Sequence, residues 1–335
     1  MSGNSTGQAV ESPVQQALLT PQATKSVLPA SKPAAGVIKS AANYLLEDCR
    51  DPTSEFARLV RDAAIKHGVE PRALAVRTLL HLPRVAGFKG QLSLRQIQAE
   101  LGARMEELLD DQAKLERLMP AGVFKLQDLQ FVAEYSSDNA EQIFTHLHYL
   151  RSSRPGALNY ALVDPVYGQP ISLCSVSPLE WRRVGRQITT QFGVPMDAVW
   201  DISRVYSFDV APPNAISYLL ARVRSDIRRR RADVQLLSTA VDPNLGFTGS
   251  SYLAANWQRW MTIKARPYMY YRGGYVTPRQ LRADFATTNV AELRSMHGAK
   301  FQQSRTQLLD SSIFCCRVKG ETEFVPKDLQ RRLHR

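Results

Sequence analysis

Three polar side chains between Trp200 and Trp260 stand in runs that otherwise read as apolar strand or aromatic helix: Arg204, Asp242 and Tyr252. An arginine inside an apolar strand is costly to bury unless an anion or a carboxylate meets it, so Arg204 points to a cleft or to an internal salt bridge with Asp209 or Asp242. Asp242 closes the apolar run VQLLSTAVD and has the chemistry to take a proton from a weak nucleophile. Tyr252 follows a turn containing Gly246, Thr248 and Gly249, where a hydroxyl either gives a proton to a leaving group or is held by hydrogen bonding in the core. Helical spacing puts Asn256 on the face of Tyr252 and Trp257 on its flank.

A second chemical feature is the segment Ala211-Pro212-Pro213-Asn214-Ala215-Ile216-Ser217, between a strand and a basic helix. A helix N-terminus presents free N–H groups and the positive end of the macrodipole to an anion. The two prolines remove donors, which leaves Asn214, Ala215, Ile216 and Ser217 to contact a phosphate, with Asn214 or Ser217 able to cap the helix. A rigid loop with an ordinary cap is the alternative.

That helix ends in Arg228, Arg229, Arg230 and Arg231. Cations suit a helix C-terminus and are often simply solvated, but the run also suits contacts to nucleic-acid phosphates. Over the whole chain of 335 residues the formal net charge is +12, which favours polyanionic partners, DNA above all. Tyr206, alternating with Val205 on the Arg204 strand, joins Tyr252, Trp257 and Trp260 as aromatic surface for a base. His146 and His148 flank Leu147, yet no metal site is assigned.

The four cysteines include no C-x-x-C pair, so neither a zinc ribbon nor a disulfide scaffold is indicated, and reduced thiols fit a cytoplasmic protein. No apolar run reaches the roughly 18 residues needed to cross a bilayer, and the start lacks a signal-peptide pattern. A homo-oligomer is left open.

These groups need a scaffold, and the patterning predicts one that is α+β. Residues 1–50 read as a disordered tail and linker, rich in Ser, Ala, Pro, Gln and Thr to about Lys39. Residues 51–135 read as a helical domain: PTSEFARLVRDAAIKHG has Thr53 as its cap and Gly68 as its stop, and PRALAVRTLLHL follows. LSLRQIQAELGARMEELLDDQAKLERL suggests two helices bent at a glycine, either a helix-turn-helix module or a packed hairpin, and its acidic residues would repel DNA. From 136 to 285 the hairpin LNYALVD/QPISLCSVS, a helix, and the strand, helix, strand and helix of the central stretch make a mixed sheet with flanking helices. MTIKARPYMYYRGGYVT adds a hairpin turning at Gly273-Gly274. Residues 286–335 read as a C-terminal extension.

This layout resembles the GNAT acyltransferase fold. The runs S-R-V-Y-S-F, A-P-P-N-A-I-S-Y-L-L-A-R-V-R and L-L-S-T-A-V-D-P-N-L-G-F-T-G-S-S-Y-L-A-A-N-W are further similar to the Mom family of phage DNA-modification proteins. The D…F-x-G-x-x-Y-x-A-A-N-W ending is shared with the DruA-type antiphage domain, and the likeness covers roughly Leu158 to Phe285. It implies transfer of a small carbamoylmethyl-type or acyl-like group to the exocyclic amine of adenine in DNA, shielding phage DNA from restriction in the host cytoplasm. An acyl-CoA-like donor is implied by GNAT enzymes, but the loop from Ala211 to Ser217 departs from their Q/R-x-x-G-x-G/A pattern. Tyr252 matches the GNAT tyrosine that protonates the leaving thiolate. Two rival readings are an acyltransferase acting on a protein or small molecule and a non-catalytic DNA-binding component of antiphage defence.

Overall fold

Residues 159–163 and 170–177 are buried in unbroken succession, so both faces of the sheet are covered by other elements. The computed structural model describes residues 54–87, 91–326, 330 and 332–333. β1 (Gln130–Ala133), β2 (Leu158–Val163), β3 (Pro170–Pro178) and β4 (Val199–Ser207) pair antiparallel in that order. β5 (Leu236–Val241) pairs with β4 in parallel, and β10 (Ser311–Arg317) separates it from β6 (Gln258–Ile263) and β11 (Arg332–Leu333). The eight strands form one mixed sheet, and the chain has the α+β architecture that its patterning predicts.

Alternation along β2 sends Tyr160 and Leu162 to one face and Ala161 and Val163 to the other. On the first face lies α6 (Ala215–Arg230), whose Leu219, Leu220, Val223 and Ile227 pack with Trp257 and Phe314. On the second lie α1 (Glu55–His67), α2 (Pro71–Val85), α3 (Leu94–Ala113) and α4 (Ser137–His146). Their Phe56, Leu74, Leu108 and Phe144 share a buried cluster with Leu173, Tyr206 and Phe208. The helices before residue 135 and the strands after it therefore build one core. α5 (Arg182–Phe192) covers Trp260 and Ile313.

A second, three-stranded sheet consists of β7 (Met269–Tyr271), β8 (Gly274–Val276) and β9 (Phe301–Gln303). It packs with α8 (Pro278–Phe285) and α9 (Val290–His297) around Leu281, Leu293 and Phe301. Its hairpin turns on Arg272 and Gly273, at φ 51° and 84°, one residue earlier than the paired glycines suggest. A two-residue turn matching strand twist needs both central residues left-handed, which explains the placement.

Some local expectations change. The segment expected to bend at a glycine is a single helix, α3, running through Gly102, because the apolar face of Ile97, Leu101 and Leu108 continues across it. The cap expected at Thr53 falls outside the described residues; Ser54 accepts from the Ala57 N–H at 3.1 Å, and Gly68 ends α1 at φ 66°. The tail and linker over residues 1–50 also lie outside. The expected C-terminal extension supplies β10, a strand with partners on both sides, since Ile313, Phe314, Cys315 and Cys316 are all buried. Among the described residues no helix is long and apolar enough to cross a membrane.

Candidate functional site

β4 and β5 pair only from Val199 to Asp201 against Leu236 to Ser238, and then part. Ser238 Oγ donates to Asp201 at 3.2 Å where the pairing stops, and burial pushes the Asp201 carboxyl up to about 6. Two residues further along, Ser203 is inserted between the β3 pairings of Ile202 and Arg204, and such a bulge bends the strand. Between the separated strands lies a cleft of about 460 Å³, walled by Ile202 to Ser207, Thr239 to Val241 and Gly246 to Tyr252.

Arg204 lines this cleft without the carboxylate partner considered for it. Its Nε and Nη2 donate to the carbonyl and hydroxyl of Ser152 at 2.9 and 3.0 Å, and its Nη1 to the Ser203 carbonyl at 2.6 Å. All three acceptors are neutral. Burial pushes the guanidinium pKa down, and the positive charges of Arg154 and Arg279 act in the same direction. Arginine remains charged in such surroundings, so the cleft contains a cation able to receive a negative group.

Tyr252 forms part of the opposite wall. Its ring stacks on Phe314 at 5.7 Å and meets the edge of Trp257 at 5.4 Å, while Thr239 Oγ1 reaches its hydroxyl at 3.5 Å. Thr239 also donates to the Ile202 carbonyl at 3.1 Å, across the gap between the strands. Burial raises the Tyr252 pKa, so the phenol keeps its proton and can donate it. Tyr252 is thus packed through its ring and lines the cleft.

The turn before α7 (Ser250–Ala254) brings Gly246, Thr248 and Gly249 into the same wall. Gly249 has φ 78°, and a Cβ there would sit 2.3 Å from the Phe314 ring, so a side chain is excluded twice over. Thr248 Oγ1 accepts from the Ser250 N–H at 3.1 Å.

A second cavity of about 350 Å³ follows Ala211 to Ser217 and shares Arg72, Ser207, Ile216, Ser250 and Ser251 with the main cleft. Asn214, at φ 66°, precedes α6 and makes no side-chain cap bond. The Ala215 N–H is taken by the Pro212 carbonyl at 3.2 Å, and Ser217 Oγ donates to the Asn214 carbonyl at 2.9 Å. Ala215 is thus removed from the expected donors. The first-turn N–H groups of Ile216 and Ser217 remain, and Arg72 adds a cation.

A third cavity, of about 630 Å³, continues along α6 through Asn214 and Ser217 to Arg224, Arg228 and Asn256. Arg228 has no ion pair among the described residues. Its three neighbours do: Arg229 and Arg230 bind Asp226, Arg230 also binds Glu134, and Arg231 binds Asp233 while its guanidinium lies 4.4 Å from the Trp200 ring. The run is a set of paired helix-end charges with Arg228 turned to an open groove.

Four further placements differ from expectation. Asp242 is not in the main cleft: it caps the turn at Pro243–Leu245, accepts from the Asn244 backbone and side-chain N–H groups at 3.0 and 2.7 Å, and accepts from the Tyr268 hydroxyl at 2.6 Å. Asn256 does not share a helical face with Tyr252, because α7 stops at Ala254 and Asn256 is left-handed at φ 62°. Trp257 is 1% exposed and belongs to the core. Tyr206 lines the cleft, but its hydroxyl donates to Glu70 at 2.8 Å.

Sequence reasoning missed three residues that shape the site, Glu70, Arg72 and Tyr149, and singled out His148 only as a metal-ligand candidate. Glu70 accepts from the Ala73 and Asp209 N–H groups at 2.6 and 2.7 Å as well as from Tyr206, and burial raises its pKa. Arg72 pairs with Asp209 at 3.4 Å. His148, kept neutral by burial, stacks on Tyr149 with centroids 4.4 Å apart. Only the Glu-Pro start of α2 was a local signal, and it announces a cap rather than a contact with β4. His146 binds Asp111 at 2.9 Å, so the two histidines point to different tasks.

No protein-family profile matches the chain, and no curated protein matches it in sequence. Solved structures similar to it include the ribosomal-protein-S18-alanine N-acetyltransferase from Escherichia coli, at 9% identity and TM-score 0.30, covering 58% of this chain and 97% of that one. NAA60 from Arabidopsis thaliana, in complex with acetyl-CoA, has 12% identity and TM-score 0.33 over 57% and 99%. An aminoglycoside N(6')-acetyltransferase from Legionella pneumophila has 7% identity and TM-score 0.27 over 57% and 92%. In this chain the sheet has antiparallel β1 to β4, a parallel β4–β5 pair that splays, and the α6 crossover between them.

Proposed function

We propose that the protein is a GNAT-like transferase that moves a small acyl-like group from a phosphate-bearing donor to an amine, and that the amine is the exocyclic nitrogen of adenine in DNA. The observation that carries the reading is the splay of β4 from β5, which joins an uncapped helix N-terminus to a cleft containing an arginine without a carboxylate partner and a protonated tyrosine. The groove from the cleft through Ile216 and Ser217 to Arg228 suits an elongated donor with several phosphates. An acyl-CoA-like donor would supply an activated acyl group on a thiol leaving group. Ile216, Ser217 and Arg72 would hold its phosphates, with Arg228 further along.

Within the cleft, Arg204 stabilises negative charge that develops on a transferring carbonyl oxygen, because its side chain is already fixed by Ser152. Tyr252 donates its phenolic proton to the leaving group and regains one from solvent or from the acceptor amine, so that one N–H bond is lost for each new leaving-group bond to hydrogen. Adenine as acceptor is supported by the likeness to the Mom family over Asp242 to Trp257 and by the net charge of +12. Within that stretch, Gly246 to Tyr252 form a wall of the cleft, with Gly249 packed under Phe314.

The pairing of Arg229, Arg230 and Arg231 with the protein's own carboxylates favours a second reading, a small-molecule amine as acceptor. Plasmid DNA from cells making the protein distinguishes the two. Sites containing adenine are expected to resist restriction enzymes, and to regain sensitivity when Tyr252→Phe replaces the wild type. Cleavage at the rate seen without the protein would reject DNA as the acceptor.

A further inference from the structure

The cavity around Asp242 has the make-up of a pocket for a flat ring that bears an N–H donor. It measures about 390 Å³ and lies between the end of β5, the segment from Ala265 to Met269 and the small sheet. Its walls include the rings of Tyr149, Tyr268 and Tyr275, with Tyr268 and Tyr275 set edge to face at 5.6 Å. Aromatic walls accept any base by stacking, and enzymes that act on a nucleobase read the extruded ring by hydrogen bonds to its edge.

The polar group on that edge is Asp242. Its carboxylate accepts from Asn244 and Tyr268, which fixes its orientation, and among the described residues no Lys or Arg forms an ion pair with it. A carboxylate has about four lone-pair sites, and three donors already point at it. One acceptor site is left, suited to an exocyclic amine and unsuited to a phosphate or carboxylate. Tyr149 and Ala240 line both this cavity and the transfer cleft, and Ala240 contributes only a methyl group to the partition. Positive charge stands beside the passage: Arg266 lines the cavity, and the field of Arg279, next to the Thr277–Pro278 wall, reaches Arg204.

We infer that this cavity receives the acceptor as a purine-type ring, with Asp242 accepting from its exocyclic amine, Tyr268 and Tyr275 supplying the stacking surfaces, and the partition at Tyr149 and Ala240 opening towards Tyr252. The inference rests on the transferase reading and adds where the acceptor sits and what distinguishes it. Asp242 is then an acceptor-binding residue in the neighbouring chamber.

The test is binding, measured by fluorescence anisotropy with full-length protein and three labelled probes. These are a short oligothymidylate with one central adenine, the same strand with central purine, which lacks the amine, and the all-thymine strand. Because the backbone charge is common to all three, differences report the ring. The adenine strand is expected to bind about tenfold more tightly than the all-thymine strand, in the range that one stacked base provides. The purine strand should lose part of that gain. Ala240→Phe and Tyr268→Ala should bring all three to parity, whereas Tyr252→Phe should leave the preference intact. Tyr268→Phe, which keeps the ring, controls for folding and should retain the stacking part of the preference. Equal binding of the three strands by wild type, or a preference unchanged in both Ala240→Phe and Tyr268→Ala, would overturn the pocket even if DNA is modified. A preference that depends on Ala240 and Tyr268 without any DNA modification would keep the pocket and reject the transfer.

Discussion

Tyr206 on β4 donates its hydroxyl to Glu70 at 2.8 Å, a bond between residues 136 apart in sequence. The same carboxylate accepts from Asp209 beyond the end of β4 and from Ala73 inside α2, so the N-terminal helices hold the strand that floors the cleft. Replacing Glu70 with Ala leaves three buried or half-buried donors without a partner. The expected loss is about 3 kcal/mol, with a fall in transfer activity, and chemical denaturation against the Glu70→Gln variant measures it.

The shared core bears on how the chain divides. A fragment beginning near residue 135 would uncover Leu173, Tyr206 and Phe208, which pack with Phe56 and Leu74 in the whole protein. Such a fragment is expected to aggregate when expressed. Its isolation by limited proteolysis as a stable, soluble species would support the separate helical domain that the patterning suggests.

Tyr252→Phe keeps the stacking on Phe314 and removes only the proton donor. Transfer should fall by about 10²- to 10⁴-fold, the usual range for a lost general acid, with an unchanged melting temperature. Arg204→Gln should lower kcat in a similar way because it withdraws charge from the cleft. Wild-type rates in both variants would move the chemistry elsewhere.

Gly249→Ala meets the Phe314 ring and the cost of a left-handed backbone together. About 2–3 kcal/mol of destabilisation is expected from overpacking and conformation. Gly168→Ala provides the contrast: its φ is 69°, but nothing lies within 4 Å of the added carbon, so only the smaller conformational cost should register. Thermal melts of the two variants separate these contributions.

Asp201, at the fork of β4 and β5, gives a pH signature. Burial raises its pKa from an ordinary 3.8 to about 6, so the folded protein favours the neutral acid. Its contribution to stability is complete below about pH 4 and is lost as the pH rises through 6. Relative to wild type, Asp201→Asn should flatten the decline between those values. A difference that is constant from pH 4 to 7 would place the titration elsewhere.

Much of the frame was legible because it follows from local periodicity. The hairpin of β2 and β3 and the basic α6 each announce themselves through alternation or helical spacing. The wall of the cleft was legible too, in Arg204, Tyr252 and the turn glycines. What failed depends on contacts remote in sequence. Nothing near Glu70 or Arg72 signals the end of β4, and nothing near Ile313 signals insertion between β5 and β6. Asp242 was singled out as a carboxylate closing an apolar strand, and the strand end turns it towards Tyr268.

The most direct measurement is mass spectrometry of nucleosides digested from the DNA of cells that make the protein. A heavier deoxyadenosine, with the added mass retained on its base, is expected with wild type and absent with Tyr252→Phe made at the same level. Unmodified deoxyadenosine alone, in cells with abundant folded wild-type protein, would contradict transfer to DNA at this cleft.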